Sequence, residues 1–369
     1  MKKELSIYHL VVVTMFIGIL LTCALFYGIN SAIGRESTVA DACYDGSVIE
    51  GEGFFADFDR SVYQNASVLG DVLESQYRLF GIVGSREVIA GKDDFLFEIE
   101  GEDNSYPFLE DYLGGLRFTE EECARILEVL QKRRDAYEAR GAEYLLVVLP
   151  NAQSVYSEKM PDYLGPIRET RLAALEKYLN ANGFTDFANL TDELIGYKSA
   201  GALYNNTENS LNALGLYYAY RCICERFEPT IMAKTRVIPR DDLHFYHHLT
   251  TGKAAARRAG LADVVHNQTV SLSNNTKLNY HSSYYTGRVA QTVLLPFEYG
   301  ESVGETPRLL LQFSGTWERL QSEPFFSNTF RAVTYQTDLA DDSAVFEWAD
   351  PSVVIQFLYE DQLSWLLPH

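Results

Sequence analysis

The run "YLLVVLP", Tyr144 to Pro150, is continuously apolar and ends at a proline. A strand with one wet face alternates apolar and polar residues. An apolar run this short, with no alternation, predicts a strand buried on both faces, as in a parallel sheet covered by helices. Upstream, "TEEECARILEVLQKRRDAYEARG" (119–141) predicts a helix: Thr119 and Glu122 form a capping box, Ile126, Leu127, Leu130 and Tyr137 give one apolar face, and Gly141 ends it. Downstream, helix, strand and helix follow in "RLAALEKYLNANG", "FTDFA" and "LTDELIGY", and "ALGLYYAYRCICERF" (213–227) predicts a further helix. The segment 228–305 interrupts this order; rich in Asn, Ser, Thr and Tyr, it reads as loops and short antiparallel strands. The alternation resumes with "RLLLQF", a helix from Thr316, "AVTYQT" and "PSVVIQFLYEDQLSWL".

Strand alternating with helix implies a three-layer α/β fold with a mostly parallel sheet. Sites in such sheets lie beyond the carboxyl ends of the strands. Three segments end there: Pro150–Asn151, the loop Asn205–Leu211, and Phe313–Ser314–Gly315.

Composition sets outer bounds. With 47% hydrophobic and 13% aromatic residues, the 369-residue chain is a folded protein. Its formal net charge of −20 argues against nucleic-acid binding, because an acidic surface repels phosphate. The cysteines Cys43, Cys123, Cys222 and Cys224 are scattered, with no Cys-x-x-Cys pair, so buried free thiols are expected and no metal or cofactor is called for.

From Leu5 to Gly34 no residue carries a fixed charge, and Lys2 and Lys3 precede the apolar core. About 20 apolar residues span a bilayer core. Three readings compete: a signal peptide cleaved near "NSAIG", a lipoprotein site at Cys23, and a retained signal-anchor. The apolar core is long for a signal peptide, and the residues after Cys23 stay apolar, so a retained anchor is the expectation. Residues 1–34 are then a cytoplasmic tip and transmembrane helix, 35–85 a stalk, and 86–369 one extracytoplasmic domain.

The landmarks "GKDDFLF" (91–97), "VVLPNAQSVYSEKMPDYL" (147–164), the frame "LY…N-x-L-G-x-x-x-A-Y" (203–220) and "DPSVVIQFLYE" (350–360) occur together and in order. With them the chain, from about residue 85 to its end, resembles the SGNH-hydrolase-like proteins of the alginate O-acetylation type (AlgX and AlgJ) and the related DHHW proteins of bacterial surfaces. The resemblance implies a serine nucleophile after a late strand, a histidine that takes its proton and an aspartate that orients the histidine. It also implies a setting in cell-surface polysaccharide O-acetylation, alongside a membrane-bound O-acyltransferase that delivers the acyl group.

Carried over residue by residue, the motif departs from the family. Anchoring on Gly215, Ala219 and Tyr220 puts Glu208 at the aspartate, Ser210 at the histidine and Leu211 at the tryptophan. Ser314 stands at the nucleophile, but Phe313 and Gly315 replace its aspartate and aromatic neighbours. A serine cannot serve as a base at neutral pH. Between His9 and His244 there is no histidine, so no local realignment supplies one.

Asp241-x-x-His244, or His247 and His248, offer a recruited base; otherwise "DDLHFYHHLTTG" is an exposed polar loop. Asn151, Tyr156 and Tyr204 are ligand-binding candidates at the sheet edge, although asparagine there is also ordinary turn chemistry. Asn212 reads as a helix cap, Tyr217, Tyr218 and Tyr220 as core and rim, and "LNYHSSYYTGR" (278–288) as a stacking surface for sugars.

Three functions remain open. They are a catalytically degenerate glycan-binding or scaffold component, an active O-acetyltransferase or esterase using Ser314 with a recruited histidine, and a structural surface protein.

Overall fold

The computed structural model describes residues 66–101, 106–227, 237–273, 285–286, 290–294, 307–313, 324–336 and 343–367. The apolar run expected to cross a membrane, Cys43, Ser314 and most of the 278–288 tyrosine tract lie outside the described residues. Among the described residues no helix is long and apolar enough to cross a membrane.

The apolar run forms β3 (Glu143–Leu149), and every residue after Glu143 is buried. Its side chains alternate between two cores. Leu145, Val147 and Leu149 enter one; Tyr144, Leu146 and Val148 enter the other. The strand is therefore apolar throughout because each face meets its own helical layer.

Five strands run parallel in the order β4 (Phe187–Asn189), β3, β11 (Val353–Tyr359), β9 (Arg308–Phe313) and β10 (Ala332–Gln336). The sheet then continues antiparallel through β8 (Ala290–Leu294) and β7 (Tyr285–Thr286), both from the interrupting segment. The same segment forms a separate antiparallel hairpin, β5 (Phe245–Thr250) with β6 (Asn267–Leu272). Before the main sheet come α1 (Ala66–Phe80), a short hairpin of β1 (Val88–Ala90) with β2 (Leu96–Glu98), and α2 (Phe108–Tyr112), while the short helices α4 (Ala152–Val155) and α6 (Thr191–Tyr197) follow β3 and β4.

On one face of the sheet lie α3 (Glu120–Glu138) and α5 (Arg171–Ala181), through Ile126, Leu130, Leu175 and Leu179. The capping box of α3 is formed: Thr119 N–H donates to Glu122 Oε2 at 2.8 Å, and Glu122 N–H donates to Thr119 Oγ1 at 3.2 Å. After the helix Gly141 turns the chain at φ +85°, a region that favours glycine. On the other face lies α7 (Ala213–Phe227). Tyr217, Tyr218 and Tyr220 are buried core there. Cys123, Cys222 and Cys224 are buried free thiols, and burial pushes Cys222 up to about 12.

Candidate functional site

The parallel register pairs Leu149 with Tyr359, so β3 and β11 deliver Asn151 and Glu360 to the same carboxyl-end edge. Glu360 is wholly buried. Its Oε2 accepts the Asn151 N–H at 2.8 Å and the Ser154 hydroxyl at 2.8 Å. Burial, and secondly the nearby Asp111 carboxylate, push the Glu360 carboxyl up to about 7 against hydrogen bonds from Asn151, Ser154 and Thr170. Asp111 is also buried and accepts from the Tyr106 hydroxyl and the Arg171 N–H, both at 2.7 Å. The Arg171 guanidinium lies over the Tyr106 and Phe118 rings, 4.8 and 4.7 Å from their centroids.

Opposite this edge stands the loop 203–211. A Tyr204–Leu211 bridge closes it, with Asn205 N–H donating to the Ser210 carbonyl at 3.1 Å and Asn212 N–H to the Leu203 carbonyl at 2.9 Å. Inside, Asn205 Nδ2 donates to Glu208 Oε1 at 2.8 Å and to Ser210 Oγ at 3.0 Å. Glu208 and Ser210, which the sequence resemblance aligns with an acid and a base, are thus held by one buried amide.

The loop is tied to the strand end as well. Asn209 Nδ2 donates to Asn151 Oδ1 at 2.9 Å, and Asn209 Oδ1 accepts the Ala152 N–H at 2.6 Å. The Tyr204 hydroxyl donates to the Pro150 carbonyl, and the Tyr156 hydroxyl accepts the Leu203 N–H at 3.0 Å. Beneath it Asn212 caps α7, its Oδ1 accepting the N–H groups of Leu214 at 3.0 Å and Gly215 at 3.1 Å. The frame residues are therefore architectural. Gly215 admits the Leu203 carbonyl, and the Tyr220 hydroxyl accepts the Ile238 N–H at 3.0 Å and donates to Thr329 Oγ1.

Asn151, Tyr156 and Tyr204 converge on this edge but are 3%, 6% and 1% exposed, with both tyrosine hydroxyls engaged by backbone groups. They hold the site rather than line it. Among the described residues a shallow crevice lies between the Phe95–Glu98 segment, Ala152–Gln153, and Asn205, Glu208 and Asn209.

Ser314 lies outside the described residues; the strand before it ends at Phe313, whose ring stacks on Phe357 at 4.6 Å. His247 and His248 are on β5 and His244 immediately precedes it. The hairpin braces the loop from its other end, where Thr207 donates to Asn267 Oδ1 at 2.8 Å and Gln268 N–H to Asn206 Oδ1 at 2.6 Å. Among the described residues no hydrogen bond joins the three imidazoles to the loop; the His248 ring instead stacks on Tyr246 at 5.1 Å. Nor is any group of His, Cys, Asp or Glu there placed to hold a metal ion.

Sequence reasoning missed Asn209, Gln153 and Glu360. All three lie inside quoted landmarks, and only their partners, some 50 to 200 positions away, reveal them.

No protein-family model matches the chain, and no curated protein matches it. Solved structures do. Bacillus cereus PatB1 with a sulfonyl adduct matches with 10% identity and a TM-score of 0.51, over 76% of this chain and 98% of that one. The O-acetyltransferase domain of Pseudomonas putida AlgJ matches with 15% identity and a TM-score of 0.46, over 75% and 91%. A DHHW family protein from Eubacterium siraeum matches with 12% identity and a TM-score of 0.48, over 67% and 86%. At these identities the likeness concerns the fold alone, which is SGNH-like, as the sequence landmarks imply.

Proposed function

We propose that this chain is a membrane-anchored, extracytoplasmic glycan-binding component of a cell-surface polysaccharide O-acetylation system, on a scaffold that does not itself carry out acyl transfer. The O-acetylation setting, and the membrane-bound O-acyltransferase partner, rest on the sequence landmarks. The fold shared with PatB1 supports the scaffold, although a fold does not carry an activity by itself. The anchor and the location outside the cytoplasm rest on the uncharged run Leu5–Gly34.

One observation carries the reading. The loop at the carboxyl edge of the sheet holds Glu208 and Ser210 on a common amide, and these are the positions where the sequence resemblance calls for an aspartate and an imidazole. Without a base, a serine hydroxyl loses several powers of ten in rate. Beside the loop, Phe95 and the amides of Gln153, Asn205 and Asn209 line a shallow surface crevice, an aromatic ring flanked by polar side chains.

The test is retention of the full-length chain on immobilised surface polysaccharide. Wild type is retained and Phe95→Ala is not, with both equally folded. Equal retention of the two, or none by either, contradicts glycan binding at this crevice.

A further inference from the structure

Resting on the anchor in the reading above, we infer that the tip of α1 docks on the surface of the bilayer that holds the anchor. Leu79, Phe80 and Ile82 enter the headgroup region, and Arg86 meets anionic headgroups. The tip is fixed to the domain. Leu73 and Tyr77 of α1, and Val83 just beyond it, pack against the small core of Ala255, Ala256 and Leu261. The fit is close: a Cβ at Gly84 would fall 2.5 Å from Leu73 Cδ2, and one at Gly260 2.7 Å from Leu73 Cδ1. The Tyr77 hydroxyl donates to Asp94 Oδ1 at 2.9 Å. Gly81, at φ +64°, ends the helix, its N–H donating to the Tyr77 carbonyl at 2.8 Å.

The apolar stripe of α1 runs on past this core. Phe80 follows Leu73 by two helical turns and so shares its side, yet Phe80 is 63% exposed. Leu79 is 73% and Ile82 57% exposed, and Val72, two turns before Leu79, prolongs the exposed flank. Single exposed apolar residues are ordinary. Three on one fixed turn form a patch that marks an interaction surface.

Charge and chain position point to lipid as the occupant. From Ser75 to Arg86 the chain carries two arginines and no acidic residue, in a protein of net charge −20. Of the acids that bound this stretch, Glu74 pairs with Arg78 at 2.6 Å on the open helix surface, where water screens the pair, and Glu87 turns to Arg258 at 4.0 Å. Arg86 is exposed and, among the described residues, has no ionic partner. Aromatic and aliphatic side chains flanked by arginine are the pattern of a segment lying in a membrane interface. Anionic headgroups attract such arginines at short range, while salt screens the acidic remainder of the domain beyond about 10 Å. Residues 35–65 join α1 to the uncharged run Leu5–Gly34, and a chain of that length spans about 30 Å at coil dimensions. A second copy meeting the same patch would instead set arginine against arginine across a two-fold axis.

The test uses the full-length chain in nanodiscs of equal parts phosphatidylcholine and phosphatidylglycerol, with and without bromine on the acyl chains near the headgroup. Phe80→Trp adds an emission that brominated lipid quenches. Wild-type emission, which includes the exposed Trp348 and Trp365 on other elements, is largely unquenched. Adding Arg86→Glu to Phe80→Trp recovers most of the lost emission at low salt. Quenching that Arg86→Glu leaves unmoved overturns the headgroup contact of Arg86. Wild-type emission quenched as strongly as that of Phe80→Trp shows no preferred face and overturns the docking. A blue-shifted but unquenched Phe80→Trp emission assigns the tip to a protein contact, by a second copy or by residues 35–65, and overturns it too. In that case co-elution with the nanodiscs leaves the anchor standing. Failure to co-elute instead overturns the anchor on which the docking rests.

Discussion

The Asn209 side chain donates from Nδ2 to Asn151 Oδ1 at 2.9 Å and accepts at Oδ1 from the Ala152 N–H at 2.6 Å, tying the loop to the end of the central strand. Asn209 lies between Glu208 and Ser210, so this clamp also holds those two residues at the strand end. The site is ordered by amides whether or not it performs chemistry.

Asn209→Ala removes both bonds and leaves the Ala152 N–H and Asn151 Oδ1 without their partner. A loss of about 1–3 kcal/mol in denaturant unfolding is expected. Amide exchange at Ala152 should accelerate while α3 stays protected. Unchanged exchange at Ala152 contradicts the clamp.

Gly215→Ala probes how closely α7 approaches the loop. A Cβ there falls 2.2 Å from the Leu203 carbonyl oxygen and 2.6 Å from Leu211 Cδ2. Helix propensity alone favours alanine by about 1 kcal/mol. Overpacking against backbone costs about 1–3 kcal/mol or more and should win, with a lower denaturation midpoint. A stabilised Gly215→Ala protein would show that the loop yields and that the glycine is not architectural.

Glu360 gives stability a pH dependence. Its carboxyl is pushed up from 4.5 to about 7, by burial first and Asp111 second. Below 4.5 both folded and unfolded chains hold the proton, so the difference vanishes. Between 4.5 and about 7 the unfolded chain releases it while the folded chain keeps it, so this group's contribution to stability falls as pH rises. Asp111, whose carboxyl burial also raises, acts in the same direction, and Tyr106, Tyr204 and Arg171 complete the charged and titratable surroundings. Glu360→Gln keeps an acceptor for the Asn151 and Ser154 donors and should flatten the stability profile over that range. A profile as steep as wild type assigns the slope elsewhere.

Much of the scaffold was legible in the sequence because it is encoded locally. The continuous apolar run of β3, the Thr119–Glu122 capping box and the Asn212 cap are short-range patterns with one physical reading. The composition of the interrupting segment indicates loops and short antiparallel strands, but not that two of these strands extend the main sheet at β10, since strand partnership is non-local. The candidate site was legible as positions and not as roles. Nothing within a few residues of Tyr156 or Tyr204 indicates that their hydroxyls serve Leu203 and Pro150. A tyrosine committed to backbone looks, in one dimension, like a tyrosine waiting for a ligand.

The most direct test of the central claim is turnover of an activated acetyl ester by the full-length chain, with Ser314→Ala as control. The account predicts equal, background rates for both proteins. A rate well above background that disappears in Ser314→Ala contradicts it, and would direct the search for a base to His244, His247 and His248.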